Sequence, residues 1–261
     1  MRNWYFRLTF AFHHYARSLR RFVNLLRESG PRAAFRYVVA GIGEFRRRHN
    51  RALNAKRQVA SRFDQQWGTD TSGHILASNL DLAGAHALDA NSYLATTPEA
   101  FQSLITALEI DPADYAFVDF GSGKGRVVLL ATEYPFKRIT GIELSTSLHK
   151  IAEANLAKFQ SPGKKCFAVE VLNRDALTHP LPADPTVIYL FNPFTDDKLY
   201  LALLANIERS LVETPRDIFI VYKHPDFRKS FDASTAFSVW RELDDAVIYR
   251  CVSALKTRPA I

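Results

Sequence analysis

The sequence predicts an α/β protein: a doubly wound, mostly parallel seven-stranded sheet that closes in an antiparallel hairpin, preceded by a helical N-terminal appendage. Short apolar runs alternate with helix-period patterns along most of the chain, as βαβ units require. The run Phe117-Val-Asp-Phe-Gly-Ser-Gly-Lys-Gly-Arg126 reads as a buried strand entering a glycine-cornered turn and then a helix. Two late strand-like runs, 236–243 and 246–254, are separated by Asp244-Asp245. That gap is too short for a crossover helix, so the two runs must pair as a hairpin.

Charge divides the chain. Residues 1–67 hold 15 Lys and Arg against 3 Asp and Glu, and residues 68–261 hold 19 against 24. We place the boundary near Trp67-Gly68, with an Arg-rich appendage at 1–67 and an acidic globular domain at 68–261. Within the appendage Trp4, Leu8, Phe12, Tyr15, Leu19, Phe22 and Leu26 fall on one helical stripe, and Gly30-Pro31 interrupts it. A second apolar pattern, Phe35, Val38, Val39, Ile42 and Phe45, runs into Arg46-Arg47-Arg48. Three uses fit: a helical cap on the domain, a helix lying on a membrane surface, or a grip on nucleic acid or another acidic partner. An Arg-rich, acid-poor start also resembles a mitochondrial presequence, which would apply in a eukaryote. No run is long enough to span a bilayer. Cys166 and Cys251 sit inside strand-like runs and read as small core residues of a reducing, cytoplasmic compartment; no His/Cys spacing suggests a metal.

The domain's elements follow in order. Phe63 to Gly73 is rich in turn formers. Thr97 can cap a helix with Pro98 in its first turn and Phe101, Leu104, Ile105 and Leu108 on one face. That helix leads into the strand before Gly121, Gly123 and Gly125, whose missing Cβ atoms permit left-handed backbone and close approach of a ligand. The next helix begins near Gly125 and points free N–H groups into the same space. A dinucleotide fingerprint needs glycine at the position held by Arg126, and Asp119 before the turn would repel phosphate and welcome an ammonium. Further strands are read at 139–143, 169–173, 187–192 and 217–222, with helices through Leu148 to Phe159 and Leu199 to Leu211. Thr195 is placed to cap the second of these, and Tyr222 and His224 are placed to face the crevice.

These residues resemble the class I S-adenosylmethionine-dependent methyltransferases, whose first motif is an acidic residue followed by GxGxG. The likeness covers roughly residues 90–255. It implies a Rossmann-like methyltransferase fold and the cofactor S-adenosyl-L-methionine, held by Asp119, Gly121, Ser122, Gly123 and Gly125. It also implies that Glu143 grips the two ribose hydroxyls and that Asp175 and Ala176 lie near the adenine. Asn192, Pro193 and Phe194 resemble the substrate-facing motif of enzymes that methylate nitrogen, although the family's pattern has a second proline and Tyr where this chain has Phe. In relatives an N-terminal segment closes over the cofactor, so Phe63–Gly73 is either such a lid or a plain linker. Tyr93-Leu-Ala-Thr-Thr-Pro98 looks like the segment before the first motif in seven-strand protein-lysine methyltransferases, of both the histone type and the mitochondrial membrane-protein type. The expectation is therefore N-methylation of a protein lysine or another amine. The alternatives are a nucleotide-binding oxidoreductase, an RNA methyltransferase recruited by the basic segment, and a catalytically idle binding module.

Overall fold

The computed structural model describes residues 61–75 and 93–251. The chain divides into Met1–Lys56 and Arg57–Ile261, and all that follows belongs to the second unit. Both apolar stripes of the appendage, Trp4 to Leu26 and Phe35 to Phe45, lie outside the described residues.

Residues 61–67 form helix α1. Strands β1 (His74–Ile75) and β2 (Tyr93–Leu94) pair antiparallel with each other. Helix α2 (Pro98–Leu108) starts as its sequence predicts: Thr97, in extended backbone, accepts a hydrogen bond from the Ala100 N–H at 3.3 Å. Phe101, Leu104, Ile105 and Leu108 are its buried stripe.

Seven strands form one sheet: β3 (Ala116–Phe120), β4 (Ile139–Glu143), β5 (Val169–Asn173), β6 (Thr186–Phe191), β7 (Ile218–Lys223), β8 (Phe237–Glu242) and β9 (Ala246–Cys251). Their order is β5-β4-β3-β6-β7-β9-β8, with the first five parallel and β9 antiparallel between β7 and β8. Helices α3 (Arg126–Ala131) and α4 (Thr146–Lys158) carry the chain outward from β3 to β5. It then returns to the other side of β3, and α5 (Asp197–Glu213) and α6 (Arg228–Asp232) follow β6 and β7. Such a reversal opens a crevice at the carboxyl ends of the strands.

Strand side chains alternate between two cores. Phe117, Val187, Tyr189 and Phe219 join the core that contains α2 and α3, while Val118, Ile188, Leu190 and Ile220 join the one that contains Tyr200, Leu203 and Ile207 of α5. Burial on both faces explains why these strands read as continuous apolar runs. Cys166 and Cys251 are buried free thiols. Two of the boundaries that differ from expectation have a visible partner in the structure. Asp196, rather than Thr195, caps α5 by accepting from the Lys198 N–H at 2.9 Å. Strand β7 starts at Ile218 because the Asp217 carboxylate is held beside it, by the Tyr115 hydroxyl at 2.7 Å and by Arg250 Nε and Nη2 at 3.0 and 2.8 Å.

Candidate active site

Where β3 ends, Gly121, Gly123 and Gly125 have φ of +79°, +56° and +84°. Side chains are strained in this region, and at two positions space adds a second constraint. A Cβ on Gly121 would stand 3.0 Å from Pro193 Cβ, and one on Gly125 would stand 3.2 Å from Ala152 Cβ. The loop is thus held between α4 and the turn after β6.

Glu143, the last residue of β4 and 7% exposed, folds back on this loop. Its Oε2 accepts from the Gly123 N–H and its Oε1 from the Ser145 N–H, both at 2.8 Å. The Gly121 and Ser122 N–H groups donate to the Ile142 carbonyl, and the Gly125 N–H donates to the Ser122 carbonyl. The free amides expected at the start of the following helix are therefore already used at four loop positions, and α3 has only six residues. A pyrophosphate would find these donors taken and a carboxylate beside them.

Asp119 is 3% exposed at the carboxyl end of β3, and among the described residues its carboxyl has no hydrogen-bond or ion-pair partner. Burial, then the Glu143 charge, hold its pKa well above the usual carboxylate value. An ammonium placed here would return the group to its ionised form. Glu143, held by the Gly123 and Ser145 amides, keeps its carboxylate at the end of β4 beside the glycine loop. These two acids fit the amino group and the sugar of S-adenosylmethionine.

Ser122 turns its hydroxyl into the protein, where a Cβ on Gly141 would meet it at 3.0 Å. Asp175 lies just past β5, on the rim that Glu143 occupies, and caps its own turn by accepting from the Leu177 N–H at 2.9 Å. Ala176 is buried in the core that contains Phe120 and Ile142.

The segment read from the sequence as either a lid or a plain linker straps this loop, through contacts the sequence did not reveal. Asp64 of α1 accepts from the Thr69 hydroxyl, the Thr71 N–H and hydroxyl, and the Ser72 N–H, at 2.6 to 2.9 Å. Burial pushes its pKa up, but the hydrogen bonds from Ser72, Thr71 and Thr69 outweigh this and hold it below the usual value. Arg126, 1% exposed, donates to Thr71 Oγ1, lies 3.6 Å from Asp64 Oδ1 and covers the Phe63 ring at 4.0 Å. Lys124 Nζ donates to Asp70 Oδ1 at 2.8 Å and to the Ser72 carbonyl at 3.1 Å. Asn155 of α4 donates to the Asp70 and Lys124 carbonyls and accepts from the Asp70 N–H. Phe63 stacks on Phe159, with Trp67 edge-on to both. Turn formers marked the segment in the sequence, whereas the pairing of Lys124 and Arg126 with Asp70 and Asp64 was not readable there.

Across the loop, Asn192 follows β6 with φ +45° and is 7% exposed. Its Oδ1 accepts from the Tyr200 hydroxyl at 2.8 Å and the Tyr222 hydroxyl at 3.1 Å, and its Nδ2 donates to Asp226 Oδ2 at 2.6 Å. The amide thus points inward, and Pro193 is the residue of this turn that meets Gly121. The Phe194 ring lies edge-on to Tyr200 at 5.3 Å. Tyr222, expected to face the crevice, is fully buried beneath the turn. His224 has φ +48°, its Nε2 3.9 Å from Asp245 Oδ2 and its ring 5.2 Å from that of Phe191. Among the described residues no group of three or more His, Cys, Asp or Glu is arranged to hold a metal. No helix among them is long and apolar enough to cross a membrane.

A sheet of this order, with the reversed strand second from its edge and an acid at or next to the last position of β3 and of β4 around a GxGxG turn, is the arrangement of the class I S-adenosylmethionine-dependent methyltransferase fold. The family model "Histone methylation protein DOT1" matches residues 75–179, from β1 past β5. Among solved structures the chain is similar to TrmN from Thermus thermophilus, at 19% identity and a TM-score of 0.44, over 60% of this chain and 49% of that one. It is similar to a SAM dependent methyltransferase from Aquifex aeolicus, at 15% identity and a TM-score of 0.44, over 58% and 89%. It is also similar to a predicted N6-adenine-specific DNA methylase from Listeria monocytogenes, at 13% identity and a TM-score of 0.45, over 60% and 51%. The chain therefore spans about half the length of the first and third of these. None of the curated proteins matches the chain.

Proposed function

We propose that this enzyme methylates nitrogen and that its acceptor is the amine of a protein lysine. The observation that supports this reading is the seating of the Asn192-Pro193-Phe194 turn directly on the cradle, Pro193 against Gly121. The match to a family model described by histone methylation favours a protein acceptor.

S-adenosylmethionine supplies an already activated methyl, so the chain's task is binding, orientation and exclusion of water. Asp119 holds the ammonium and Glu143 the ribose hydroxyls, while Asp175 and Ala176 border the adenine. The glycine loop gives the close approach. Because the Asn192 amide is engaged by Tyr200, Tyr222 and Asp226, the turn meets the acceptor through its backbone and the Phe194 ring. An amine must shed its proton to react, and an aromatic, water-poor wall lowers the pKa of an ammonium.

The compartment we assign is the cytoplasm, where free thiols such as Cys166 and Cys251 persist. The basic segment 1–67 then serves as a contact to a membrane surface or to an acidic partner. Co-sedimentation with anionic liposomes, comparing the full chain with one that starts at Arg62, checks this; equal behaviour excludes the membrane.

Tritiated-methyl labelling of lysate from a strain lacking the gene tests the activity. Label in protein, lost on hydrolysis as methyl-lysine, is expected. Label confined to RNA or small molecules overturns the acceptor, and no incorporation at all leaves a binding module. Asn192→Ala and Phe194→Ala with full turnover would remove the turn from the acceptor site.

A further inference from the structure

We infer that Tyr200, Tyr222 and Asp226 are positioning residues that fix the pitch of the Asn192–Phe194 turn over the cradle. This rests on the reading that the turn meets the acceptor.

The turn needs holding. Asn192 has φ +45°, a left-handed conformation that a residue with a side chain holds only where local hydrogen bonds or its surroundings favour it. Three ties converge on its one amide from three places in the chain: Tyr200 from α5, Tyr222 from β7 and Asp226 from the loop that follows. The Tyr200 hydroxyl also accepts from the Phe194 N–H at 3.3 Å and lies 3.2 Å from the Phe194 carbonyl, so it spans both ends of the turn. The Tyr222 hydroxyl accepts from the Phe227 N–H at 3.4 Å, joining the turn to the start of α6.

The hydroxyls are separable from the fold. Both rings sit in one aromatic stack: Tyr200 lies 5.4 Å from Tyr222 and 5.1 Å from Phe227, and Tyr222 lies 5.3 Å from Phe231. Phenylalanine would fill the same space and keep this packing. What it would lose is two neutral donors aimed at Asn192 Oδ1. Burial pushes the Tyr222 pKa up to about 12 and the Tyr200 pKa higher still, so both remain donors throughout the physiological range. Core polar groups that converge on Asn192, next to the proline that meets Gly121, act on that turn more than on the surrounding stack.

The test is the full chain carrying Tyr200→Phe and Tyr222→Phe together, read three ways. Calorimetry with S-adenosylhomocysteine is expected to match wild type within about twofold, because the cradle acids are untouched. Amide hydrogen exchange in a peptide covering residues 192–194 is expected to quicken by about tenfold, the loss of roughly one net hydrogen bond's protection. Methyl incorporation into lysate protein is expected to fall by about tenfold through the maximal rate rather than the half-saturating concentration, as a misplaced acceptor requires.

Asp226→Asn keeps an oxygen for the Asn192 Nδ2 and should retain most turnover, whereas Asp226→Ala should not. Unchanged exchange, or unchanged incorporation, overturns the inference. A loss of homocysteine-analogue affinity in proportion to turnover also overturns it, since the network would then act through the cradle. If wild type labels no protein, the acceptor reading fails, while the exchange rates still decide whether these hydroxyls hold the turn. Should the double variant not fold, the Asp226 pair carries the same test from an exposed residue.

Discussion

Around the glycine loop the crevice is held by ionised side chains and backbone amides; around the Asn192 turn it is held by neutral phenols and stacked rings. Glu143, Asp64, Lys124 and Arg126 brace the first region. Tyr200, Tyr222, Phe227 and Phe231 underlie the second. The first serves a ligand of fixed chemistry, and its residue types are dictated by backbone conformation and charge. The second is the region we propose to face the acceptor, and its shape is set by side chains that can be exchanged singly while the sheet stays intact.

The largest effect should come where the regions touch. Gly121→Val puts a branched side chain into backbone at φ +79° and against Pro193, so S-adenosylhomocysteine binding should fall by about a thousandfold or be lost in calorimetry. Retained affinity would mean that the loop is not held as the contact implies.

Next comes the strap. Arg126→Met leaves the largely buried Asp64 carboxylate without its cation, which costs about 3–5 kcal/mol, or about 6–20 °C in thermal midpoint for a domain of this size. Tyr222→Phe, which keeps its ring stack, should cost about 1 kcal/mol, or only a few degrees. Equal losses would erase the contrast between a charged brace and an aromatic one.

Asp119 supplies a pH test. Its folded pKa is raised, so its contribution to stability is full below the unfolded value and is lost as pH rises through the folded value. The ligand-free protein should therefore lose stability across that window, and Asp119→Asn should flatten the slope. Binding of an ammonium ionises the carboxyl, so S-adenosylhomocysteine should release a proton from Asp119 in the same window, visible as a dependence of the binding heat on buffer. The variant should show no such release and should bind about tenfold more weakly.

The smallest change is Asp70→Ala. Its side chain is 64% exposed and Lys124 keeps the Ser72 carbonyl, so affinity should stay within about threefold, as for a surface pair.

Much of this was legible in the chain. Strands apolar on both faces, glycines at the corner and the Thr97-Pro98 start of α2 each reflect local rules, and they gave the sheet and its hairpin. The positions of Asp119 and Glu143 followed from strand ends in register. Asn192 was placed correctly at the end of β6, but the direction of its amide was not readable. Its partners lie 8, 30 and 34 residues further on, and only the packing of α5 against β7 brings them together. The strap was read as a lid or a linker, but its ties were hidden for the same reason: Lys124 and Asp70 are 54 residues apart, and nothing local distinguishes a buried lysine from a solvated one.

Pro193 lies so close to Gly121 that a side chain added at Gly121 would crowd it. Any attempt to retarget the enzyme by transplanting a recognition turn from a distant homologue must import a residue no bulkier than proline at that point, or redesign the nucleoside-binding bend along with it. Specificity and donor capture would then have to be engineered as one unit.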